Sequence, residues 1–361
     1  MKPWLRVLLL VAGLGLFGYF IYDAGPGNIL EAYRGLGWWS LGALVPFAVV
    51  LSIDALGWRY TFAREYIRDV RYRTLWYVRL AGEAVNNVIP SMYVGGEATK
   101  VYLLHKRGVP VAATTAAAVR SKTAQSVAQS TFIAMAALMA AVMLPAGAAM
   151  ELPGVSLPVK PVFIGVAALG FVFMMLLFLL QSRGMFMTLL GWVRGLGLKL
   201  RRMEKHEERL LKMDAAIFNF YSKSRRRFVR CTLVYLLGWM TDTVEIVLVS
   251  HVLGKPVEWH DALVIEAFIG VAKGLYVVVP GAFGVQEFAV VALFTMFGYD
   301  RELGVQYAII RRGRELAFTA LGWGFLYHDE SGLRGITKRV QEEAAEMQAV
   351  EDQAREETLE D

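Results

Sequence analysis

The chain has 361 residues, 38 Lys and Arg against 32 Asp and Glu, a formal net charge of +6 and 56% hydrophobic residues; its mean hydropathy is +0.43. Several apolar runs reach the roughly 20 residues needed to cross hydrocarbon, which excludes an ordinary soluble globule and points to a polytopic membrane protein. One cysteine, Cys231, excludes an internal disulfide, and five scattered histidines at no metal-ligand spacing predict no metal site.

Residues 4–22 are apolar after Lys2 and Arg6 and lack a small-x-small cleavage site, so they read as a first span rather than a signal peptide. Residues 35–58 form the second predicted span, with Trp38, Trp39 and Trp58 as interfacial anchors. Residues 59–79 carry Arg59, Arg64, Arg68, Arg71 and Arg73 against Glu65 and Asp69, a basic balance that places them in the cytoplasm. Such clusters mark loops facing anionic lipid more readily than nucleic-acid binding.

Two short apolar arms follow, 75–89 and 93–104, interrupted by Asn86, Asn87, Pro90, Gly95 and Gly96. Each is too short to cross about 30 Å of hydrocarbon. The pair begins and ends beside basic segments, so it reads as re-entrant from the cytoplasm; the competing reading is two short surface helices. Residues 111–144 form a third span and 146–160, with Pro153, Gly154 and Pro158, an external loop.

Residues 162–181 form the fourth span. Residues 183–230 hold thirteen Lys and Arg and are cytoplasmic. Phe186, Leu189, Leu190, Val193 and Leu196 are spaced there for an amphipathic helix on the membrane surface. Residues 228–252 form the fifth span, and 255–261 a charge-balanced external flank. A second broken pair, 262–279 and 285–297, closes on the balanced 300–302 and so enters from outside. Residues 303–327 form the sixth span. The tail turns acidic at Glu342, Glu343, Glu346, Glu351, Asp352, Glu356 and Glu357, a solvated helix or a disordered segment with no assigned chemistry.

The two broken pairs share a pattern. Pro90 and Pro280 are each followed seven positions on by a glutamate, Glu97 and Glu287, and eighteen positions on by a glycine, Gly108 and Gly298. A basic pair comes next, Arg120 and Lys122 or Arg312 and Arg314, with a two-residue insertion in the second copy. A charge precedes each proline by seven positions, Glu83 and Lys273. Opposite entry sides then predict an inverted repeat, the plan of many membrane transporters.

The fold class is therefore an all-α polytopic membrane protein, with about six spanning helices plus two re-entrant broken-helix hairpins in an inverted repeat. Residues 1–327 form the transmembrane domain. Repeat one covers about 36–144 and repeat two about 228–327, with 183–227 as basic cytoplasmic linker and 328–361 as acidic cytoplasmic tail. Both termini are expected in the cytoplasm of a cell-membrane protein, with Pro90 and Pro280 approaching the midplane from opposite sides.

Buried charge is costly, so the intramembrane ionisable residues are the candidate site: Glu83, Glu97, Arg120, Lys122, Lys273, Glu287, Arg312, Arg314 and Glu315. Arg120 and Arg312 lie at mirrored depth. An arginine fork suits phosphate, and so do the N–H groups at the second arm of each hairpin, near Asn86, Asn87, Gly95 and Gly96 or near Gly281 and Gly284. The expected ligand is a membrane lipid with an anionic headgroup. A structural reading competes: Glu97 with Arg120 or Lys122, and Glu287 with Arg312 or Arg314, neutralise each other and pin hairpin to span. Asp54, Asp242 and Glu245 either couple to protons or cap helices. No nucleotide-binding motif, cofactor site or acid–base cluster for an enzyme is present in the sequence.

The residues Glu83-x2-Asn86-x3-Pro90-x4-Gly95-Gly96-Glu97 and Pro280-Gly-Ala-Phe-Gly284-Val-Gln-Glu287, followed by Arg311-Arg312, resemble the transmembrane-region family of lysyl-phosphatidylglycerol synthases, the flippase-like membrane proteins. The resemblance runs from about Leu5 to Leu326 and includes features of the hopanoid-associated branch. It implies an integral membrane protein that handles lipid, with transbilayer flipping as the expected activity. The alternative it implies is a non-transporting accessory protein of a lipid (hopanoid or aminoacyl-lipid) or glycan pathway, with lipid-biosynthesis enzymes as partners. Bifunctional members carry a cytoplasmic transferase domain. About 33 residues after the last span are too few for one, so aminoacyl transfer is not expected.

Overall fold

In a computed structural model the described residues are 44–88, 94–143, 224–275 and 284–330, the strand pair 149–152 and 155–158, and scattered positions between 15 and 42 and between 161 and 176. The predicted spans at 4–22 and 162–181 lie largely outside them. The surface helix around Phe186, most of the basic linker, Pro90, Pro280, Gly281 and the tail beyond 330 also lie outside the described residues.

The helices in chain order are α1 (Leu44–Thr61), α2 (Arg64–Ile67), α3 (Tyr72–Val88), α4 (Val94–His105) and α5 (Val111–Met143), then α6 (Arg225–Val252), α7 (Trp259–Leu275), α8 (Val285–Met296) and α9 (Arg301–Glu330). Between α5 and α6 the strands β1 (Ala149–Leu152) and β2 (Val155–Pro158) pair antiparallel, Glu151 opposite Ser156. The segment expected as an external loop thus holds a β-hairpin. Leu152 faces Val155 at the end of that pair. Among the described residues, 113–143 and 225–252 are long and apolar enough to cross a membrane.

The breaks follow local chemistry. Gly108 and Gly298 have φ of +84° and +80°, a conformation that costs a side chain but not glycine. Past each glycine the next N–H folds back: Val109 N–H donates to Leu104 O at 3.1 Å, and Tyr299 N–H to Phe294 O at 3.0 Å. Both short arms therefore close with the same glycine cap. The structure extends two of the expected boundaries. α1 continues to Thr61 because Trp58, Phe62 and Thr61 are buried. α3 begins at Tyr72, so Arg73 and Arg79 lie on a helix rather than in the basic loop.

Packing is built on small residues. Ala124, Ala128, Ala136, Ala137 and Ala140 of α5 are buried against α6 and α7, as close helix approach requires. α1 packs on α6, α3 on α9 and α5 on α7. Gly57 of α1 faces the Tyr235 ring, and Gly322 of α9 faces Leu80 and Ala84 of α3. The tightest approach joins the arms of the first hairpin. A Cβ on Gly96 would stand 2.2 Å from Gly82 O and 2.4 Å from the Asn86 amide. Gly96 N–H also donates to Asn86 Oδ1 at 2.9 Å. Gly96→Ala should therefore force α3 and α4 apart and lower stability by about 1–3 kcal/mol. An unchanged melting temperature in detergent would contradict this packing.

Candidate functional site

Ionised side chains collect in two clusters, one on α1 and α3 to α5 and one on α6 to α9. The first cluster joins four helices. Arg79 Nη2 on α3 donates to Asp54 Oδ2 on α1 at 2.6 Å and lies 3.8 Å from Glu83 Oε1. Lys100 Nζ on α4 is 2.8 Å from Glu97 Oε1 and 3.8 Å from Glu83 Oε1. Lys122 Nζ on α5 is 3.4 Å from Glu97 Oε1. Three carboxylates meet three cations, which offsets the cost of burying Arg79 and Lys100.

The second cluster lies on α6 to α9. Arg311 grips Glu266 of α7 with both prongs, Nη1 to Oε2 at 2.6 Å and Nη2 to Oε1 at 2.8 Å. Arg311 Nη1 also donates to Tyr307 Oη at 2.8 Å. Arg312 Nε donates to Glu287 Oε1 on α8 at 2.5 Å, and its Nη1 stands 2.9 Å from Glu315 Oε2. Arg314 pairs with Glu245 of α6, and lies 4.0 Å from Asp242. Gln286 Nε2 donates to Glu315 Oε1 at 3.1 Å.

Of the residues expected at the site, Glu83, Glu97 and Lys122 meet in the first cluster, and Glu287, Arg312 and Arg314 in the second. Glu97 is paired with Lys122 and Glu287 with Arg312, one choice of partner in each case. Asn87 Nδ2 donates to Thr319 Oγ1 on α9 at 3.0 Å, tying the hairpin to α9. Gly95 O accepts from Thr99 Oγ1 at 2.8 Å. Gly284 caps the start of α8 with φ +79°. The side chain of Lys273 on α7 and all of Gly281 lie outside the described residues.

Arg120 Nη1 donates to Thr61 O at 2.8 Å, at the carbonyl end of α1, and Arg312 bonds carboxylates on α8 and α9. A helix C-terminus carries partial negative charge and suits a guanidinium. The N-terminal turns of α4 and α8, expected to face phosphate, carry their own carboxylates, Glu97 and Glu287. Arg79, Lys100 and Glu266 were missed as site residues. Their signal was present, because any ionisable residue inside an apolar arm needs a partner.

Charge also ties the loops. Arg107 Nη2 donates to Asp329 Oδ1 at 2.6 Å, joining the end of α4 to the end of α9. Lys255 lies 3.0 Å from Glu302 and 3.3 Å from Asp300. The hydrogen bond to Glu302 raises the Lys255 ammonium above its usual range. Tyr299 Oη donates to Asp261 Oδ2 at 2.7 Å, and burial with that bond pushes the phenol up to about 12.

A family model described as the lysylphosphatidylglycerol synthase TM region matches residues 4–322. The chain belongs to that family. It is a membrane protein of lipid-related function. It is also 24% identical over 314 residues to a UPF0104 membrane protein of Methanothermobacter thermautotrophicus, across 84% of this chain and 89% of that protein. No solved structure matches. Glu83, Glu97 and Glu287 of the two sequence motifs take part in the ion clusters, with Arg312 just beyond.

Proposed function

We propose that this chain is a lipid flippase that moves a phospholipid or related polar lipid across the cell membrane. The path is a polar midplane site between two re-entrant hairpins of inverted orientation, in a multi-pass protein with both termini cytoplasmic. The observation that carries this reading is the placing of both ion clusters beside the helix breaks. Helix breaks at membrane depth persist where protein or water covers them, and ionised residues there mark substrate paths.

Two further observations support it. Exchanging α1, α3, α4 and α5 for α6, α7, α8 and α9 maps the α3–α9 packing onto α7–α5, and α1–α6 onto itself. That is the pattern a two-fold repeat produces. The basic segments 59–73 and 183–230 also contrast with the balanced 255–261 and 300–302. Arginine in such clusters suits an anionic headgroup, which would compete with Glu287 or Glu315 for the guanidinium.

One observation favours the non-transporting accessory reading, a partner of lipid- or glycan-modifying enzymes. The Arg311–Glu266 pair is bidentate, with side chains 3% and 1% exposed, and resembles a fixed brace. Liposomes containing only this protein separate the two. Headgroup-labelled phospholipid in the inner leaflet should become accessible to an impermeant quencher much faster than in protein-free vesicles. Movement at the protein-free rate for anionic, zwitterionic and neutral lipids alike would leave the accessory reading in place.

A further inference from the structure

The second cluster holds more carboxylates than cations. Asp242, Glu245, Glu266, Glu287 and Glu315 face Arg311, Arg312 and Arg314 among the described side chains. The first cluster is balanced, so the excess is particular to one half. Glu245, Glu266 and Glu287 are 0%, 1% and 1% exposed, too deep for water to screen them. Glu245 Oε1 and Glu287 Oε2 are buried without a hydrogen-bond partner. An uncompensated carboxylate in such surroundings takes up a proton rather than stay charged.

The carboxylates differ in how firmly they are held. Glu266 takes both prongs of Arg311, Glu287 takes Arg312 Nε, and Glu245 takes Arg314. Glu315 is bonded by Arg312 and Gln286. Asp242 stands 4.0 Å from Arg314, beyond hydrogen-bond length. Its side chain is 16% exposed, more than those of the other four carboxylates. It lies one turn from Glu245 on α6 and competes with it for one guanidinium.

The other charged or titratable neighbours are Tyr307 and Arg311 on α9, Asp54 of α1 near Gly238, and Arg79 of α3 bound to Asp54. Lys273 of α7 has its side chain outside the described residues. No group of three His, Cys, Asp or Glu converges to hold a metal ion among the described residues, so a proton fits the excess better than a metal cation.

We infer that the second cluster is a proton-binding site, with Asp242 carrying the exchangeable proton that couples lipid movement to a transmembrane proton gradient; this rests on the flippase reading. Ionised Asp242 draws Arg314 away from Glu245. A proton taken from water on one side forms the carboxylic acid and returns Arg314 wholly to Glu245. Release to the other side restores the first state. Arg314 also lies 4.2 Å over the Phe47 ring of α1, so its shift bears on the contact between α1 and α9.

Infrared difference spectra of the purified full chain test the site without reference to transport. Acidification should raise a protonated-carboxyl band in the parent, shifted when aspartate is isotope-labelled and absent in Asp242→Asn. Asp242→Glu should keep a band. In proteoliposomes a pH gradient should speed lipid movement several-fold in the parent and have no effect on Asp242→Asn. If Asp242→Asn does not fold, Asp242→Glu decides: its band should answer to glutamate labelling and no longer to aspartate labelling. A band that ignores aspartate labelling, persists in Asp242→Asn, or is missing from the parent overturns the proposal; so does a gradient that acts alike on both proteins. An aspartate band in a parent that moves no lipid would leave the proton site standing and remove the flippase reading with its coupling.

Discussion

Glu266→Gln should destabilise the folded protein by about 3–5 kcal/mol, more than any other single carboxylate change in either cluster. The glutamine keeps the shape and one acceptor but removes the charge opposite Arg311. That guanidinium is 3% exposed and would keep Tyr307 Oη at 2.8 Å and Glu315 only at 3.9 Å. Breaking a buried pair costs more than the pair was worth, because the remaining ion stays desolvated. Glu287→Gln should cost less, since Arg312 retains Glu315 at 2.9 Å. Glu97→Gln should cost least, because Glu97 is 24% exposed and Lys100 keeps Glu83. Thermal unfolding in mild detergent should rank them in that order. Arg311→Met added to Glu266→Gln should recover much of the loss, as apolar substitutes for buried pairs do. Equal melting temperatures for all three single variants would mean that the clusters are not sealed from water.

The sequence and the structure agree best where a rule acts locally. Gly108 and Gly298 mark the ends of short arms because a left-handed cap needs glycine, whatever surrounds it. α4, α5, α8 and α9 lie within a few residues of the runs read from apolar content. Partner choice was not legible, because it depends on which faces of distant helices meet. Arg79 follows basic Arg71 and Arg73 in the sequence, yet α3 turns it inward to Asp54. Glu266 lies 45 positions from Arg311, with no local trace of their pairing. The strands at 149–152 and 155–158 leave little trace in the sequence because they are four residues each, too short for alternation to stand out.

Arg312→Lys should fold, reach the membrane and lose most phospholipid movement, at least about tenfold, or ~1.4 kcal/mol at the barrier. Arg312 holds Glu287 through Nε at 2.5 Å and Glu315 through Nη1 at 2.9 Å, a fork spanning two helices. Lysine keeps the charge but concentrates it at one point, so it holds one carboxylate and cannot grip a phosphate bidentately. Arg120→Lys separates this geometry from the mirrored relay expected from the sequence. Arg120 Nη1 donates to the carbonyl of Thr61, an acceptor that an ammonium also satisfies. If the fork at Arg312 gates the headgroup, Arg120→Lys should move lipid at nearly the parent rate. If an anionic headgroup is passed from one arginine to the other, both lysine variants should fail alike, and Arg120 must leave Thr61 during the cycle. Parent rates in both would remove the arginine fork from the transport step, because a brace needs only charge where a phosphate grip needs the fork.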